Sequence, residues 1–213
     1  MNRSVAVHPR IEEDPVSNVL KWILLVVAVG SFALFAWATV LTYERAAPQP
    51  DRYVTAGGAT VMTDDDIVAG KAGFQKADLM DYGSLYGMGS YFGQDYTAFA
   101  LVRLAALTEE NLAQTRFGAA FDSLSAEQQA AIRATMQQQL QGVDLTRREV
   151  TIPDALAGAI ATLRSDLAKN LHTIDLTTGW TPAYSLNETE ALQTADFLIY
   201  SALTTVARRP DAS

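Results

Sequence analysis

Covalent haem attachment needs a Cys-x-x-Cys-His motif, and this 213-residue chain contains no cysteine. Thiolate-bridged copper is excluded on the same ground. Only two histidines occur, His8 and His172. They flank a long apolar run, one before it and one after, so they cannot share one haem iron. His172 with Met62, Met80, Met88 or Met136 is the remaining noncovalent arrangement. No local motif supports it, and methionines are more simply core filler. Ser and Asp are plentiful, but a single histidine after the apolar run without a nucleophile motif gives little support for a triad. The runs Asp64-Asp65-Asp66 and Thr108-Glu109-Glu110 lie where helices are expected to start, and capping accounts for both.

The distinctive stretch is Met80–Phe99, MDYGSLYGMGSYFGQDYTAF, with four of the thirteen glycines and four of the eight tyrosines. Its Gly87-x-Gly89-x-x-x-Gly93 spacing is not a dinucleotide fingerprint, and no apolar strand precedes it. Alternating glycines permit positive φ and close approach of another surface. Tyrosines supply flat apolar area with a polar tip, a composition common at interfaces. The residues alone allow a loop that faces a partner or one that packs internally.

The elements around this stretch follow from hydropathy and caps. Trp22–Tyr43 carries no charge and as a helix measures roughly 33 Å, enough to cross a bilayer core. Its length and the acids that precede it favour an uncleaved anchor over a signal peptide. The predicted division is a cytoplasmic tail at 1–18, a transmembrane anchor at 19–43, a linker at 44–62 and an exported domain at 63–213. A slight basic excess before the anchor (Arg3, Arg10, Lys21) over Arg45 and Arg52 puts the N-terminus in the cytoplasm. This single-pass arrangement in the inner membrane leaves the main domain in a periplasm-like space. The net charge of −8 falls after the anchor, which argues against nucleic-acid binding and against adhesion to anionic lipid headgroups. The bilayer is thus a partner through the anchor alone.

Within the domain, Thr63 with Asp66 caps a helix whose apolar side is Ile67, Phe74 and Leu79 and which ends near Met80. Phe99, Val102 and Ala106 recur at helical spacing. Thr108 starts a further helix, as does Ser125 with Gln128, the latter ending at Gly142. Glu149–Ile152 reads as extended, Pro153 opens a helix to about Leu171, and Asn187 with Glu190 caps the last helix. Its stripe of Leu192, Ala195, Ile199, Leu203 and Val206 faces a core, and it stops at Arg208-Arg209-Pro210. The chain is mainly α.

The string YGSLYGMGSYFGQDYTA (Tyr82–Ala98), preceded by TDDDIVAGKAGFQ (Thr63–Gln75), resembles the N-terminal region of quinol-dependent nitric oxide reductases. That region usually reads G-Q-x-x-F/W-Q and then Y-G-S-x-x-G-H-G-A-Y-x-x-P-D-x-T/S-A. Agreement is strong over 60–100 and weaker back to the anchor and forward to Arg208-Arg209-Pro210, where the family has an Arg-Pro-Gly segment before its catalytic membrane bundle. The resemblance implies an anchored, cytochrome-c-like domain without haem, present here as a separate small subunit. Its partner would be a large, multi-helix, haem-containing catalytic membrane subunit that holds haem b and non-haem iron and reduces nitric oxide with quinol electrons. The chain itself would be non-catalytic.

In that family the G-x-G-x-Y segment approaches the haem propionates and helps bind a calcium ion bridging both parts. Carried over, Gly89 and Tyr91 become the metal-binding contributions, and calcium's preference for oxygen donors suits them. Tyr82, Tyr86, Gly87, Met88, Phe92, Asp95 and Tyr96 become the interface. Met88 replaces the family's His, Gln94 replaces its Pro, and the aromatic pair of the last helix is reduced to Tyr200. These departures leave the reduced gas open, with dioxygen or nitric oxide dismutation as alternatives. A membrane-anchored binding or assembly factor without a catalytic partner is the competing function.

Overall fold

The computed structural model describes residues 17–172 and 185–207 and divides the chain into two units, 1–46 and 47–213. The first unit holds helix α1 (Asn18–Glu44), 27 residues long and without a buried side chain. Trp22, Phe32, Phe35 and Trp37 all stand exposed along it. Its length and composition are those of a membrane-crossing helix, which makes it compatible with a single-pass anchor. His8 and the rest of the predicted tail up to residue 16 lie outside the described residues, as do Arg208-Arg209-Pro210.

The second unit opens with two short strands, β1 (Arg52–Thr55) and β2 (Thr60–Thr63), paired antiparallel. Composition assigns residues 52–62 to a linker, and this is corrected: Tyr53 and Met62 are fully buried. Strand β1 also pairs in parallel with β5 (Glu149–Ile152), Arg52 opposite Glu149 and Thr55 opposite Ile152. The sheet order is β2-β1-β5. The extended segment expected at 149–152 is therefore present, and its partner is the stretch that composition marks as linker.

Among the described residues, five helices follow in this unit: α2 (Asp64–Lys76), α3 (Tyr96–Phe117), α4 (Ala126–Gln141), α5 (Asp154–His172) and α6 (Glu188–Val206). The expected caps form. Thr63, Ser125 and Asn187 each accept a hydrogen bond from the backbone N–H three residues on, and Ser125–Gln128 and Asn187–Glu190 are reciprocal capping boxes. Gly142 ends α4. Helix α2 stops at Lys76, short of the expected Met80, and a 3₁₀ turn at Leu79–Asp81 follows.

Two expectations fail in α3. The helix does not restart at Thr108 but runs through it. The Thr108 hydroxyl donates to the Leu104 carbonyl at 2.7 Å within the same helix and so needs no cap position. The buried face is Tyr96, Ala100, Leu104, Thr108 and Leu112, whereas Val102 is exposed. In α6, Ala195, Ile199 and Leu203 are fully buried as expected, while Leu192 sits at the surface.

Helices α2 and α6 touch backbone to backbone. A Cβ on Gly70 would collide with the Gln193 carbonyl, and one on Gly73 with the Thr194 hydroxyl. This contact places Phe74 against Phe197 (5.5 Å between ring centroids) and edge-on to Tyr96 (5.9 Å).

Next to it lies a buried ion pair. Arg164 of α5 donates to Asp196 of α6 at 2.5 Å and to the Val61 carbonyl of β2. Burial raises the Asp196 carboxyl to about 7, against the pull of the Arg164 guanidinium and helped by the Asp66 charge. The folded protein thus holds this proton more tightly than the unfolded chain, whose carboxyl titrates near the ordinary 3.8. The associated stability is complete below that value and is lost as pH rises through about 7. In thermal melting of the full chain in detergent, the stability of the wild type relative to Asp196→Asn should therefore decrease as pH rises from 4 to 7.

Candidate docking loop

The loop joining α2 to α3 contains the glycines and tyrosines of the distinctive stretch. Strands β3 (Ser84–Leu85) and β4 (Met88–Gly89) pair antiparallel. Between them Tyr86 (φ 56°) and Gly87 (φ 74°) both adopt positive φ, as the central residues of a type I′ two-residue hairpin turn do. Asp95 pins this turn from below. Its carboxylate accepts from the Gly87 N–H at 2.6 Å and the Ser84 hydroxyl at 2.7 Å, while also capping α3 through the Ala98 N–H at 2.8 Å. Partial burial would raise its pKa, but these bonds together hold the carboxyl below its ordinary value.

A second set of hydroxyls ties the hairpin to α6. Thr97 accepts from the Tyr86 N–H at 3.1 Å and lies 3.2 Å from the Ser201 hydroxyl. The Tyr86 phenol and the Thr204 hydroxyl are 2.8 Å apart. The Ser90 N–H, next along the loop, points inward and reaches the carbonyls of Met80 (3.1 Å) and Gly83 (3.0 Å).

The glycines serve the loop itself. Gly89, at φ 134°, would place a Cβ 2.5 Å from the Gly83 carbonyl, and Cβ atoms on Gly83 and Gly93 would strike the carbonyls of Gln94 and Tyr82. Close backbone approach therefore occurs here, but between two parts of one loop. The large side chains point the other way. Tyr91 is 91% exposed, Phe92 98% and Met88 66%, with Tyr82 and Tyr86 about four-tenths exposed.

Of the residues assigned to an interface, Tyr82, Gly87, Met88 and Phe92 are exposed, whereas Tyr86 is partly exposed with its phenol held against α6 by Thr204. Two do not fit that role. Tyr96 is 1% exposed and donates its hydroxyl to the Leu79 carbonyl at 3.1 Å, so it belongs to the core. Asp95 is occupied by the bonds just described and acts as the loop's brace.

The same geometry bears on calcium. Among the described residues no three His, Cys, Asp or Glu side chains cluster as metal ligands. With Asp95 engaged, the Gly89 carbonyl and the exposed Tyr91 phenol offer neutral oxygens only. Two neutral oxygens do not by themselves make up a calcium coordination shell.

Residues 50–213 match the family model for the cytochrome c-like domain of the nitric oxide reductase protein NorB. The chain belongs to this family. A search of curated proteins gives no match. A cytochrome c-like domain implies haem, and the residues of this NorB-type domain do not fit a covalent one. The chain has no cysteine for thioether bonds. Phe74, Tyr96 and Phe197 fill the interior between α2, α3 and α6. His172 ends α5 with its Nδ1 2.8 Å from the Leu186 carbonyl, which ties the entry of α6 to α5.

The supporting residues Thr97, Ser201 and Thr204 escape sequence reading. For Ser201 and Thr204 the available signal is the cluster of hydroxyls in the last two turns of α6; nothing in the sequence marks Thr97. Asp95→Ala should remove a helix cap and the hairpin brace together. The expected cost is about 1–2 kcal/mol of stability, checked by denaturant unfolding, with faster amide exchange at Gly87 and Ala98.

Proposed function

We propose that this chain is a non-redox component of a nitric-oxide-reductase-like respiratory complex. In this reading α1 anchors it in the inner membrane, with the N-terminus cytoplasmic and the domain on the periplasmic side. The 80–93 loop packs on the outer face of a catalytic membrane partner that carries haem b and non-haem iron. This chain would scaffold and shield that face, and the Gly89 carbonyl and Tyr91 phenol would contribute neutral donors to a calcium ion shared with it.

The observation that carries this reading is the division of labour in the loop. Its glycines and hydrogen bonds are used internally, while Met88, Tyr91 and Phe92 stand largely in solvent. A rigid loop that exposes adjacent aromatic side chains has the make-up of an interface anchor. The family membership supports the identity of the partner.

The test is a gentle-detergent pull-down of the tagged full chain from native membranes, read by visible absorption and mass spectrometry. A many-helix protein with b-haem absorption is expected with the wild type. Phe92→Asp should reduce its recovery roughly tenfold or more, while melting of the variant chain stays within about 0.5 kcal/mol of wild type, since the side chain touches little. Recovery of the chain alone, colourless, would instead leave an anchored binding or assembly factor.

A further inference from the structure

Strand β1 carries a phenol that the surrounding protein does not satisfy. Tyr53 is fully buried, and its hydroxyl has no hydrogen-bond partner among the described residues. It lies opposite Met62 of β2 and Val150 of β5, both buried, so the ring stands on the inner face of the sheet. The other two buried phenols are provided for. Tyr96 donates to the Leu79 carbonyl at 3.1 Å and Tyr200 to the Pro48 carbonyl at 3.2 Å. Leaving the Tyr53 hydroxyl unpaired would cost the full desolvation of that group.

Two polar groups stand near it. The chain-entry segment begins the second unit at Ala47, where the Tyr200 hydroxyl of α6 holds Pro48 and the Gln49 amide donates to the Asp64 carboxylate at the start of α2. The Asp64 N–H in turn donates to the Asp51 carbonyl at 3.0 Å. Residues 47–53 are thereby fastened to both Tyr200 and Asp64, and Tyr53 closes this span. Burial, then the Tyr200 phenol and the Asp64 charge, push the Tyr53 hydroxyl far above its ordinary pKa. Burial raises Tyr200 to about 12, helped by Tyr86 and Asp64. Both phenols therefore keep their protons at neutral pH. Tyr200 and Asp64 act on Tyr53 without bonding to it directly, which is the setting of a water-mediated contact.

The donors and acceptors select the occupant. The Tyr53 O–H lacks an acceptor. The Asp64 carboxylate only accepts, and the Tyr200 oxygen, whose proton goes to Pro48, has lone pairs to offer. A bridging group must accept once and donate twice. An anion cannot donate and a metal cation cannot accept, whereas water does both. About three such bonds are usual for a buried water.

We propose that one internal water is bound between Tyr53, Tyr200 and Asp64. It accepts from the Tyr53 hydroxyl and donates to the Tyr200 phenol oxygen and the Asp64 carboxylate. This water completes the fastening of the chain-entry segment to α2 and α6, and it makes the buried Tyr53 hydroxyl a stabilising group.

The sign of one substitution tests this. Removing an unpaired buried hydroxyl relieves its cost, whereas removing a water-bound one breaks a hydrogen bond. In urea unfolding of the full chain in detergent, Tyr53→Phe should raise the unfolding equilibrium constant about three- to tenfold. That factor should shrink toward one when Tyr200 is already Phe, because the two hydroxyls share the bridge. An experimental structure that resolves solvent should show a peak about 2.8 Å from the Tyr53 hydroxyl oxygen. An unchanged or lower constant in Tyr53→Phe, the same factor in both backgrounds, or a direct Tyr53–Tyr200 bond with no solvent peak would each overturn the inference.

Discussion

The contact on which the rest of the domain depends is the close approach of α2 to α6 at Gly70 and Gly73. Two glycines one turn apart let the α6 backbone lie where side chains would otherwise hold it away. That approach buries Ala191, Thr194 and Ala195 on one side of α6 and sets Phe197 against Phe74. It also fixes where the next turns of α6 must lie. Asp196 meets Arg164 of α5, and Tyr200, Ser201 and Thr204 meet the chain-entry segment and the hairpin. A side chain at either glycine would displace all of these together, because interiors at native packing density transmit strain.

The α2–α3 loop illustrates how one segment satisfies two demands. A loop with positive-φ residues and inward backbone donors would be costly if its polar groups were left unpaired. Here Asp95, Thr97 and the carbonyls of Met80 and Gly83 take up those donors. The loop is thereby ordered by its own hydrogen bonds, so under the proposed docking less conformational entropy would be lost. The Met88, Tyr91 and Phe92 side chains are the part left largely exposed.

Local features are legible in the sequence. The caps at Thr63, Ser125 and Asn187 depend on residues three apart, and α1 on an unbroken apolar run, so each can be read without knowing the fold. The glycines at 83, 89 and 93 announce close backbone approach, but only the hairpin shows that the approaching backbone is the loop's own. Strands β1 and β2 are hidden because each is four residues long and β1 pairs with β5, 97 residues away in sequence for Arg52 and Glu149. Tyr96 looks like its exposed neighbours in sequence, and only the turn into α3 carries it inward. Gly70 and Gly73 resemble ordinary helix-weakening residues until their partner helix is in view.

The central claim is that the 80–93 loop is a preformed surface covered by a membrane partner. Hydrogen–deuterium exchange of the full chain, compared between native membranes and the isolated chain in detergent, tests it most directly. The account predicts slower exchange at the exposed amides of residues 86–93 in native membranes, with α4 unchanged. Equal exchange of the loop in both preparations would contradict it.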